Sequence, residues 1–216
     1  MTTRSRRLPI PTWTTYQESI GDRSPLFSAV GTRWPIHRAL YPGSYLDLSP
    51  STAIASVTYV DTDRRASRFF ADPDLIRSEL TDRTSSPVRG AINEISFLPA
   101  DYTHDLPLEA RSFDLLISLY AGPVWDHCRT YLEPGGLLLA NTSHGDASIA
   151  ALDPALTLVA AVHHRDSKYR IDEHHLDQYL VPKSPAAADT DKIRADGRGI
   201  AYTRTAFAYI FQLDMH

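Results

Sequence analysis

The chain has 216 residues, 43% hydrophobic and 22% charged, a balance that suits one globular domain with a substantial core and a short appendage. Its net charge of −4 argues against an electrostatic nucleic-acid binder, and its single cysteine, Cys128, excludes an internal disulfide and a thiolate metal cluster. No apolar stretch approaches the roughly 18 residues needed to span a bilayer, and no apolar run follows the polar start, so a cytoplasmic protein is expected.

Arg4, Arg6 and Arg7 read as a solvated basic tail. From Thr12 to Val30, Trp13, Tyr16, Ile20, Leu26, Phe27 and Val30 alternate with polar residues and predict a broken helix packed over a sheet edge. Residues 1–35 are therefore read as a helical or irregular segment ahead of a main domain at 36–216. The apolar runs Arg38 to Tyr41, Val57 to Val60, Ile95 to Leu98, Leu115 to Leu119 and Leu137 to Ala140 follow in turn. They lack polar alternation, as strands buried on both faces do. Arg64 to Phe70 has helical character, and Asp72-Pro73 suits the start of a helix through Leu80. Pro123 to Leu132 predicts a helix stopped before Pro134-Gly135-Gly136. Strands alternating with helices imply right-handed crossovers and a mostly parallel sheet with helices on both faces. Thr157 to Val162 and Ala206 to Leu213 predict a final antiparallel strand pair. Between them 163–205 is polar, with a short helix expected near Asp172 to Leu180 and an irregular loop after it.

Phe113-Asp114-Leu-Leu-Ile-Ser118, a helix, then Leu132-Glu-Pro-Gly-Gly-Leu-Leu-Leu139 resembles the fourth and fifth strand signatures of the class I (Rossmann-like) S-adenosylmethionine-dependent methyltransferases. Val57-Thr-Tyr-Val-Asp61 is similar to their second strand with its terminal acid. Phe97-Leu-Pro-Ala-Asp101-Tyr102 is similar to their third strand and its acidic turn. The resemblance covers roughly Arg38 to Asn141. It implies S-adenosyl-L-methionine as cofactor, with Asp61, or Asp63 if the turn is one step longer, accepting from the ribose hydroxyls. It further implies that Asp101 and the Tyr102 backbone N–H meet the adenine, and that Ser118, Leu119 and Tyr120 lie along the amino-acid end. Asp61 and Asp101 are also the residue type that caps ordinary turns. The family's acid-x-Gly-x-Gly turn is reduced here to Tyr41-Pro-Gly43-Ser44-Tyr-Leu-Asp47, with room for only a short first helix near Ser49 to Ser56.

Asn141-Thr-Ser-His144-Gly-Asp146 follows the fifth strand, on the edge where such a fold carries ligands. Histidine titrates nearest neutrality of the side chains, so His144 is the candidate base, with Asp146 to orient it. Asp146 equally suits an N-cap for Ala147 to Leu152. Asn141 and Tyr16 are candidates for holding the substrate, and Tyr169 and Tyr179 can reach it from the 163–205 excursion. His163-His164 and His174-His175 are adjacent pairs that point to opposite faces on a strand, so no metal site is expected. Cys128 reads as buried packing. The expected function is methyl transfer to a small-molecule acceptor, with no nucleic-acid or membrane partner. The alternative is a Rossmann-like protein that binds S-adenosylmethionine or a nucleoside for other chemistry, or without catalysis.

Overall fold

The computed structural model describes residues 11–81 and 94–215; the basic residues Arg4, Arg6 and Arg7 lie outside them. In chain order the elements are α1 (Trp13–Ile20), α2 (Ser24–Arg33), β1 (Arg38–Pro42), β2 (Ser56–Val60), α3 (Arg64–Phe70), α4 (Pro73–Thr81), β3 (Glu94–Leu98) and β4 (Phe113–Ser118). They continue with α5 (Val124–Cys128), β5 (Leu132–Ala140), α6 (Asp146–Ala150), β6 (Leu156–Arg165), β7 (Lys168–Asp172), α7 (Thr190–Asp196) and β8 (Ala208–Leu213).

The strands form one sheet in the order β3-β2-β1-β4-β5-β8-β6-β7. β1 to β5 pair in parallel, whereas β8 lies antiparallel between β5 and β6. Apolar runs without alternation are accounted for directly, because successive residues feed opposite cores. Ala39, Tyr41, Val57, Tyr59, Leu137 and Leu139 enter one core, whereas Leu40, Val60, Leu138 and Ala140 enter the other. Trp13, Leu26, Phe27 and Val30 from α1 and α2 share the first core, as does Phe69 from α3. Val124, Trp125, Ile149 and Ile193, from α5, α6 and α7, share the second. The Rossmann-like sheet with helices on both faces is as expected.

Several local expectations are corrected. The helix after β4 ends at Cys128, and a 3₁₀ turn at Arg129–Tyr131 leads into β5 from Leu132 onward. The Pro134-Gly135-Gly136 phrase thus lies inside the strand as an irregularity, with Phe113 opposite Leu132 but Leu115 opposite Leu137. The reduced first helix is a 3₁₀ turn at Ser49–Thr52. The excursion opens with a hairpin from β6 to β7, so Asp172 ends a strand, and of the helix expected at Asp172 to Leu180 only Leu176–Gln178 is helical, as a 3₁₀ turn. Its second half forms α7 and packs on α6, with Ile193 and Tyr202 buried. Arg194 joins α7 to α5 through two bonds to Asp126, at 2.7 and 2.8 Å. Among the described residues no helix is long and apolar enough to cross a membrane.

Candidate functional site

Strand order reverses between β1 and β4, and in an open parallel sheet the crevice at such a switch point is where ligands bind. The turns leaving both strands meet there. Gly43, at φ +65°, lies so close to the β4 turn that a Cβ on it would stand 2.6 Å from the Ala121 Cβ. Only glycine satisfies both the backbone angle and the contact. Tyr45 adopts φ +48°, a costly left-handed conformation for an aromatic residue. Its N–H donates to Asp61 at 2.8 Å, and its ring meets Tyr16 edge-on at 5.0 Å.

Asp61 leaves β2 into this crevice, half-buried, with its other oxygen accepting the Asp63 N–H at 2.8 Å. Asp63 is spent on capping α3, where the Arg65 side chain holds its carboxyl below the usual range. Of the two acids, Asp61 is therefore the one presented at the turn. Asp101 is exposed and accepts the backbone N–H and hydroxyl of Thr103 in a local turn; those bonds lower its pKa, the backbone bond most. Tyr102 donates its hydroxyl to the Gly122 carbonyl, tying the third turn to the fourth over Gly43, while its backbone N–H has no partner among the described residues. Leu119 is buried in the core, so only its backbone borders the crevice. Tyr120, at φ +60°, projects outward and is 48% exposed.

The fifth-strand loop departs from its expected pairing. Asp146 is buried with both carboxylate oxygens 3.1 Å from the Trp125 N–H, at the start of α5, and does not bond His144. Burial pushes its pKa up to about 6, with Ser118 and the α5 N–H groups acting the other way. His144 is exposed, bonded through Nδ1 to the Ser143 hydroxyl at 2.9 Å, with its Cβ against Gly122. The Asn141 oxygen, expected to hold substrate, instead accepts the Tyr120 N–H at 3.4 Å and the Ser143 N–H and hydroxyl at 3.3 and 2.9 Å. It braces one loop against the other. Tyr179 is buried on the far face, 2.7 Å from His163 Nε2, so of the two excursion tyrosines Tyr169 alone faces the crevice. Cys128 is buried, its thiol pushed up to about 12 by that burial.

A buried ion pair underlies the site. Arg23, between α1 and α2, donates to Asp47 at 3.0 Å, and both are nearly inaccessible, 5% and 0% exposed. Tyr41 donates to the same carboxylate oxygen at 3.2 Å, and the Ser49 N–H to the other at 3.1 Å. Burial opposes the Arg23 charge, but Tyr41, Asp47 and Tyr16 more than offset it. Neither member stands out in a motif, although an acid within the apolar phrase Tyr45-Leu-Asp47-Leu48 is a signal that a buried partner exists.

For S-adenosylmethionine, the group implied by the sequence resemblance, the polar complement fits. Ser44 Oγ, in the turn after β1, is buried without a partner, whereas Ser118 at the end of β4 turns its hydroxyl toward the Asp146 carboxylate. Asp61 keeps free lone pairs in the adjoining turn. The Gly43–Ala121 contact and the Tyr102 bond close the crevice, so occupancy requires the third turn to swing out.

These features define a Rossmann-like α/β protein. Solved structures of similar fold include the [4+2]-cyclase SpnF (15% identity over 62% of this chain and 61% of that one, TM-score 0.39). They also include a methyltransferase from Geobacter sulfurreducens (15% identity, 71% and 86%, TM-score 0.46) and the DhpI-SAM-HEP complex (17% identity, 93% and 91%, TM-score 0.43). The match spans less than two thirds of the cyclase's length. No family model matches the chain, and no curated protein matches it in sequence.

Proposed function

We propose that the chain is a cytoplasmic S-adenosylmethionine-dependent methyltransferase with a small-molecule acceptor. The observation that carries the reading is the convergence of the turns after β1, β2 and β4 at the switch point, where Asp61 accepts the Tyr45 N–H, Gly43 lies against Ala121 and the Ser44 hydroxyl is buried without a partner. The four strand phrases of the family fall in order on β2, β3, β4 and β5, which supports it further. The cofactor supplies an electrophilic methyl group on a sulfonium. Asp61 would accept from its ribose hydroxyls, the Tyr102 N–H would meet its adenine, and Ser44 with the backbone after Ser118 would hold its amino-acid end. Methyl transfer to an oxygen or nitrogen also releases a proton. His144, on the rim beside Gly122 and bonded to the Ser143 hydroxyl, is our candidate to take it, a reading this proximity supports.

The second reading, the same scaffold used for other chemistry or for binding alone, draws on the Gly43–Ala121 contact and on Tyr45 at the position of a family glycine. Calorimetric titration with S-adenosylmethionine and S-adenosylhomocysteine tests the reading against a scaffold that no longer binds the cofactor. Methyl transfer predicts that both bind and that Asp61→Ala, folded by circular dichroism, binds at least tenfold more weakly. No heat from either ligand refutes it.

A further inference from the structure

Resting on the methyl-transfer reading, we infer that the acceptor is a neutral planar aromatic molecule carrying a hydroxyl or carbonyl oxygen, held against Tyr120, Tyr169 and Phe207 with that oxygen on Arg23. The three rings arrive from separate segments, after β4, on β7 and just before β8, and converge on the carboxyl edge. Tyr169 and Phe207 meet edge-on at 5.3 Å, and Phe207 and Tyr120 at 6.4 Å. His164 stacks on Tyr169 at 4.3 Å with an interplanar angle of 11°, fixing that ring as one wall. Tyr120 is held outward by a left-handed backbone conformation that a side chain of its size adopts only under constraint. The loop bond to Asn141 supplies the constraint.

The charge of the acceptor follows from Arg23. Its guanidinium lies 4.8 Å from the Tyr120 ring centroid, so the place a cationic ligand would take on that ring is filled by a cation. Asp47 already cancels the arginine's charge, so the site has no net attraction for a full anion. What Arg23 retains is donor capacity. Only one terminal nitrogen is engaged, by Tyr41 and Asp47, and its Nε and second terminal nitrogen have no acceptor among the described residues. Those N–H groups suit a neutral oxygen lone pair. Burial pushes the Tyr169 phenol up to about 12, against the influence of Arg23, so the wall is uncharged at neutral pH.

Three probes sharing one ring system test this: 2-naphthol, 2-naphthoate and 2-naphthylmethylamine, each titrated into the full chain with S-adenosylhomocysteine present. The expected result is that 2-naphthol binds at least tenfold more tightly than either charged probe, and that Tyr169→Leu and Phe207→Leu each weaken it at least fivefold. Both variants are expected to bind S-adenosylhomocysteine as the parent does, which shows they are folded. Tighter binding of the amine or the naphthoate, or 2-naphthol binding indifferent to both substitutions, overturns the inference. Binding of S-adenosylhomocysteine with no 2-naphthol binding defeats the acceptor class alone. Binding of 2-naphthol with no S-adenosylhomocysteine binding defeats the methyl-transfer reading instead.

Discussion

Replacing Arg23 with methionine tests how α1 and α2 are fastened to the first turn. The change preserves much of the side chain's volume but leaves the Asp47 carboxylate, 0% exposed, with only the Tyr41 hydroxyl and the Ser49 N–H as donors. Breaking a buried pair from one side costs about 3–5 kcal/mol, because the remaining charge is uncompensated. At about 2–4 °C per kcal/mol for a domain of this size, the melting temperature falls by roughly 6–20 °C. Asp47→Asn keeps an acceptor for Tyr41 or Ser49 while stranding Arg23, and a loss of about 3 kcal/mol is expected. The double variant strands neither charge and should lose only about 2–3 kcal/mol, giving a coupling of about 3–6 kcal/mol. Urea unfolding followed by tryptophan fluorescence measures all four corners of the cycle, with Trp13 itself buried in the same core. A coupling below about 1 kcal/mol, typical of an exposed pair, would refute the reasoning.

Three further expectations follow. Tyr102→Phe deletes the hydroxyl that closes the third turn onto Gly122; losing a bond worth about 1 kcal/mol should raise S-adenosylhomocysteine affinity roughly fivefold, and an unchanged or weaker titration counts against a closed crevice. Asp146, at about 6 against an ordinary 3.8, binds its proton more tightly when folded, so its stabilising contribution is complete below pH 3.8 and lost as pH rises through 6. Asp146→Asn should therefore gain about 2 kcal/mol relative to the parent between pH 4 and pH 6.5, and parallel urea-stability profiles across that range would contradict the assignment. Cys128, its thiol raised to about 12 by burial, should react with iodoacetamide at pH 8 at least a hundredfold more slowly than in urea; comparable rates would mean that the second core is open.

The strands of the parallel half are legible because burial on two faces removes polar residues from them, and the edge strand β3, only partly buried, was carried by its Ile-Ser-Phe-Leu phrase. The β6–β7 hairpin escaped notice for a specific reason. Its two-residue turn is Asp166-Ser167, both at positive φ, without the glycine or asparagine that announces such turns. Around it His163, His164 and Arg165 at the end of β6, and Lys168 and Arg170 on the edge strand β7, are polar, which hides the strand pattern. At the candidate site, the turn positions of Asp61 and Ser118 are readable from strand ends, whereas the pairing of Ser118 with Asp146 is not. Arg23 with Asp47, and Tyr169 with Phe207, were not, because each pairing joins distant segments that only the sheet order brings together. Asp146 lies two residues from His144 in the chain, but the start of α6 turns its carboxylate toward the Trp125 N–H of α5, which neither of its sequence readings contained.

The position of β8 also bears on how this sheet is completed. It lies between β5 and β6, pairing Leu137 with Gln212 on one side and Leu156 with Leu213 on the other. Until this late segment arrives, β5 and β6 have a strand-wide gap between them, and the inward edges of both remain unpaired. Contacts of such long sequence separation form slowly. During synthesis the parallel half can assemble as it emerges, but the seam must wait for a wedge that follows β5, β6 and β7 in the chain, and until then two bare edges are exposed to self-association.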